Sequence, residues 1–61
     1  MTPKQQKFCD EYIKTGNATQ SAINAGYSKK TAKQIGQENL TKLDLKVYID
    51  ERLKTISDNT I

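Results

Sequence analysis

A small all-α bundle of about four helices is the fold class that this 61-residue sequence predicts. Three observations carry that reading. Apolar residues recur at helical spacing along the chain and nowhere alternate as in a half-buried strand. Helix-start and helix-stop signals at Thr2-Pro3, Gly16-Asn17, Gly26, Ser28 and Thr41 cut the chain into four short pieces. A chain this short, 34% hydrophobic, holds one domain whose core rests on a few well-placed side chains.

Thr2 offers a capping oxygen and Pro3 a first helical residue whose missing N–H costs nothing, so the first helix begins at residue 3. Phe8, Cys9, Tyr12 and Ile13 make one apolar stripe on it, and Gly16 ends it at about residue 15 as a left-handed cap. Asn17-Ala18-Thr19-Gln20 reads as a capping box, with Asn17 taking an orphan N–H and Gln20 reaching back. Ala18, Ala22 and Ala25 then share a face whose small side chains admit a close neighbour, and Gly26, expected at positive φ, closes this second helix.

Ser28 reads as the N-cap of a third helix running to about Asn39, with Ala32, Ile35 and Asn39 on its inner face. Gly36 lies inside it and marks either a close backbone approach or an early end. Thr41 and Asp44 form a second capping pattern, followed at helical spacing by Leu45, Tyr48, Ile49, Leu53 and Ile56, which places a fourth helix over about 42–56. The expected core is Phe8, Tyr12, Ala22, Ala25, Tyr27, Ala32, Ile35, Leu40, Tyr48, Ile49 and Leu53. Residues 1–56 form the expected domain and 57–61 a polar tail or linker.

The residue inventory removes several function classes. Histidine is absent and Cys9 is the sole cysteine, so an internal disulfide and a Cys/His zinc cluster are excluded and a reducing compartment fits. Cys9 sits in the apolar stripe, where a thiol acts as a small buried hydrophobe. Asp10-Glu11 and Asp50-Glu51 are helix neighbours that point apart, so neither pair is a metal site or an acid/base dyad. No segment approaches the length of a membrane span, and no enzyme, cofactor or metal is expected.

Charge is distributed unevenly. Between Tyr12 and Gln37 there is no carboxylate, while Lys14, Lys29, Lys30 and Lys33 all fall there. On the third helix and its start, Ser28, Lys29, Lys30, Lys33, Gln34 and Gln37 fan outward, away from Ala32 and Ile35. A short helix, a glycine turn and a second helix with Ala22, Gly26 and Ile35 at the joint match a helix-turn-helix. Its outer face suits double-stranded DNA: lysines, including Lys14, contact phosphates, glutamines pair with adenine edges, and Ser28 with the helix N-terminus holds a phosphate.

Thr2-Pro3-Lys4-Gln5, Phe8, Tyr12, Asn17-Ala18-Thr19-Gln20, Ala22 and above all Ala25-Gly26-Tyr27-Ser28 resemble, as a set, the N-terminal domain of the small terminase subunit of tailed bacteriophages and prophages. The similarity continues through Leu40 and Tyr48-Ile49. It implies recognition of viral DNA at a packaging site, assembly of the whole protein into a homo-oligomeric ring, and a partner large subunit bearing ATPase and nuclease, all in the cytoplasm of the bacterial host. Two departures stand out: Lys42-Leu43 replaces the Asn-Pro pair that often opens the last helix, and members are usually longer. The chain is therefore expected to be an excised DNA-binding domain, monomeric as such. The same face would serve a helix-turn-helix transcription regulator, and a protein-interaction module docking an acidic partner is the reading from another class.

Overall fold

A computed structural model describes the backbone of residues 1–58 and the side chains through Lys54. The helices follow in order as α1 (Pro3–Thr15), α2 (Ala18–Asn24), α3 (Ala32–Thr41) and α4 (Leu43–Asp58). α1 starts at a complete capping box, with Thr2 Oγ1 accepting from the Gln5 N–H at 3.1 Å and Gln5 Oε1 accepting from the Thr2 N–H at 2.9 Å. It ends at Gly16, whose φ of 68° lets its N–H reach the Tyr12 carbonyl.

Asn17 caps α2 through the Gln20 N–H at 3.0 Å. Gln20 does not reach back as expected, because its side-chain amide donates instead to Asn24 Oδ1 one turn later, at 3.0 Å. The α1–α2 joint is sealed by polar contacts inside the fold. Fully buried Ser21 donates to the Asn17 carbonyl and lies 2.9 Å from Thr15 Oγ1, so its hydroxyl is satisfied.

Phe8, Cys9, Ala22, Ala25, Ala32, Leu45 and Ile49 form the buried core, and Tyr12, Tyr27, Leu40 and Tyr48 pack against it partly exposed. Phe8 and Tyr12 stack at 6.2 Å between centroids. Leu45, absent from the expected core, is fully buried, whereas Leu53, expected there, is 44% exposed. The reason is that only the first turns of α4 lie against α1. There the Tyr48 hydroxyl donates to Asp10 Oδ1 at 2.7 Å, and this bond pushes the phenol's pKa upward.

α4 also begins differently from expectation. Thr41 is the last residue of α3, where its hydroxyl donates back to the Glu38 carbonyl at 2.6 Å, and so it does not cap α4. Extended Lys42 joins the two helices, and its carbonyl accepts the Lys46 N–H at 2.9 Å. α4 runs to Asp58, two residues past the expected end. The side chain of Ile56 and residues 59–61 of the expected tail lie outside what is described.

Candidate nucleic-acid interface

The α2–α3 unit starts from small residues. Ala22 and Ala25 are buried in the core, Ala18 lies against α3, and a Cβ added to Gly36 would stand 2.8 Å from the Ala18 carbonyl oxygen. Of the two meanings the sequence allows for Gly36, close backbone approach is the one realised. Ala32, Gly36 and Asn39 are buried on this inner face, which turns the opposite side of α3 to solvent. Ile35, assigned to the inner face, is only partly buried at its edge.

Gly26 takes φ 104° and closes α2. Its N–H donates to the Ile23 carbonyl and the Tyr27 N–H to the Ala22 carbonyl, both at 3.0 Å, so the orphan carbonyls of α2 are satisfied within the turn. Ser28, expected to cap α3, does something else. Its Oγ accepts the Lys30 N–H at 3.3 Å and its carbonyl accepts the Thr31 N–H at 3.1 Å, so residues 28–31 form a hydroxyl-stabilised turn. α3 therefore begins later, at Ala32, with Thr31 at the cap position and no side-chain cap bond.

The later start leaves Lys29 and Lys30, expected on the helix, outside it. Ser28, Lys29 and Lys30 project from the turn, while Lys33, Gln34 and Gln37 occupy α3, and all six are exposed. Lys33, Gln37 and Gln34 span an arc of roughly 100° opposite the buried face. Glu38 borders that arc, with its Oε1 3.5 Å from Gln34 Nε2, so the C-terminal edge of the face carries an acid that the expected surface lacked. Among the described residues, Lys29, Lys30 and Lys33 enter no ion pair. Lys14 stands apart from this group, in the last turn of α1, 3.6 Å from Glu11 Oε2.

Sequence reasoning missed Lys4. Its ammonium lies 5.1 Å from the centre of the Tyr27 ring, which brings the first turn of α1 to the α2–α3 turn. No spacing rule links these distant residues; only the packing of α1 on α2 does.

Other chemistry is scarce. Burial pushes the Cys9 thiol up to about 11, with the Asp10 and Asp44 carboxylates adding to the rise, so it is not a nucleophile at neutral pH. No group of three potential metal ligands occurs among the described residues, and no described helix is long and apolar enough to cross a membrane. An open apolar groove of about 400 Å³ runs along Leu40, Val47, Ile49 and Leu53, with Lys46 and Asp50 at its sides, and no catalytic set converges on it.

Four short helices, with a glycine-closed turn leading into a helix that shows lysine and glutamine outward, define a small helix-turn-helix domain. The chain belongs to the terminase small subunit family, whose family model, described as "Terminase small subunit", matches residues 1–61. It is 50% identical over 62 residues to the terminase small subunit of Bacillus phage SF6 and 44% identical over 62 residues to that of Staphylococcus phage 80alpha, in both cases over 100% of this chain. With the terminase small subunit of Bacillus phage SPP1 it shares 48% over 61 residues and 98% of its length. The chain spans only 42% to 43% of the length of these relatives.

Proposed function

We propose that this chain is the DNA-binding domain of a terminase small subunit, residues 1–56, which recognises viral DNA at the packaging site and supports genome packaging with the large subunit. The observation that carries the reading is the exposed set Ser28, Lys29, Lys30, Lys33, Gln34 and Gln37, set on one turn and one helix by the Ala18–Gly36 contact. Lysines that enter no ion pair neutralise phosphates without first breaking a bond, and Gln34 and Gln37 supply the donor–acceptor pairs that read adenine. The first N–H groups of α3 carry no side-chain cap, which leaves them available to an anion. Lys14 adds a phosphate contact once released from Glu11.

The domain itself is not an enzyme; cleavage and ATP hydrolysis belong to the large subunit, reached through parts of the whole protein beyond this domain. Three or four phosphate contacts make a weak binder, with a Kd of roughly 10⁻⁴ to 10⁻⁶ M near physiological salt. Copies of the whole protein arranged in a ring, in the host cytoplasm, would raise avidity by roughly 10² to 10⁴. As a separate piece the domain is monomeric.

Titration of duplex DNA across salt concentrations tests this. Log K should fall with log[salt] at a slope of about −3, and replacing Lys29, Lys30 and Lys33 together by Gln should remove most of that slope while the helical signal stays. Binding that is unchanged in the triple variant would transfer the domain to the protein-interaction class.

A further inference from the structure

Tyr27 follows the positive-φ Gly26 and is half-buried, with its N–H donating to the Ala22 carbonyl, so its ring is fixed by the same turn that sets the direction of α3. Lys4 crosses to this ring from α1. Its ammonium stands 5.1 Å from the ring centre, and its Cε would lie 3.5 Å from a Cβ at Gly26, ordinary van der Waals contact, so the Lys4 stem runs alongside the turn. One residue beyond Tyr27 begins the exposed Ser28-Lys29-Lys30 turn.

The charges around Lys4 do not cancel it. Lys4 enters no ion pair among the described residues, and the Glu11 carboxylate of its own helix pairs with Lys14. An ammonium on an aromatic face keeps its N–H donors, because the ring attracts the charge and does not accept all three protons. A preorganised cation of this kind loses less side-chain freedom when it meets a phosphate than a free lysine does.

We propose that Lys4 is a phosphate contact of the DNA site, contributed by α1, and that the Tyr27 ring is the platform that holds it beside Lys29 and Lys30. The proposal rests on the DNA-binding reading above and adds a second element of the fold to that interface.

The test is the salt dependence of binding to a mixed-sequence duplex, measured on the whole 61-residue chain with helicity followed in parallel. Lys4→Gln should make the slope of log K against log[salt] shallower by about 0.9, Lys4→Arg should leave it as it was, and Lys54→Gln, far along α4, should also leave it unchanged. In a Tyr27→Leu background, adding Lys4→Gln should weaken binding by less than half the factor seen with Tyr27 present. A slope that Lys29→Gln reduces but Lys4→Gln does not would overturn the proposal and leave the DNA-binding reading standing. An equal loss from Lys54→Gln would overturn it too, since net charge alone would then account for the effect. If neither Lys4→Gln nor the triple change at Lys29, Lys30 and Lys33 alters the slope, the DNA-binding reading itself falls.

Discussion

The α2–α3 unit and α4 are joined to the fold on different terms. α2 and α3 meet through alanine and glycine, close enough that the Gly36 Cα side faces the Ala18 carbonyl with no room for a methyl. α4 meets α1 through large side chains, buried Leu45 and Ile49 and the Tyr48–Asp10 bond, and leaves Leu43, Val47 and Leu53 at 75%, 46% and 44% exposure. Backbone-close packing fixes the direction of a helix tightly and tolerates no added volume, whereas side-chain packing tolerates change wherever the helix has left the core. The exposed lysines and glutamines of the proposed DNA site sit on the tightly fixed unit.

The contrast can be broken most forcefully at the point where α4 is anchored. Leu45→Ala should cost about 2 to 5 kcal/mol, which unfolds a domain with so small a core, and chemical denaturation would read it directly. At the other joint, Gly36→Ala gains roughly 1 kcal/mol of helix propensity but drives a methyl into the Ala18 carbonyl, so net destabilisation of about 1 to 3 kcal/mol is expected. A more stable Gly36→Ala variant would mean that α2 and α3 can move apart freely.

Alkaline pH provides a subtler probe of the core between α1 and α4. The Cys9 thiol is raised from 9.0 to about 11 by burial first and by Asp10 and Asp44 second. Below about pH 9 the thiol is protonated in both folded and unfolded chains and the full stability is present. Above that value the unfolded thiol ionises first, so stability should fall between about pH 9 and pH 11, and Cys9→Ala should flatten the part of the fall that the thiol causes. The smallest effect is expected on the outer side of α4, where Leu53→Gln should shift stability by no more than about 0.5 kcal/mol. A loss of 2 kcal/mol or so there would show that the groove is covered in solution.

Local chemistry made most of the helices legible in the sequence, and long-range packing accounts for the errors. Thr2-Pro3, Gly16, Asn17 and Gly26 act within a turn of themselves, so the limits of α1 and the turn after α2 could be read directly. Ser28 and Thr41 misled because a hydroxyl can serve a turn or bond back along a helix as well as cap one, and only geometry distinguishes these uses. Leu45 and Leu53 lie in one helical stripe, and which of them is buried depends on where α1 stops covering α4. The outward set was readable from the inner-face pattern of α3, although Lys29 and Lys30 sit on the turn. Lys4 was invisible, because its place beside Tyr27 exists only after α1 has packed.

The most direct test of the central claim is an amide NMR titration of the chain with duplex DNA from a phage packaging site. Salt-sensitive shifts centred on Ser28 to Gln37, with the amides of α4 from Lys46 to Leu53 unmoved, are the expected result. Shifts confined to the Leu40–Val47–Leu53 groove, or no salt-dependent shifts at all, would contradict it.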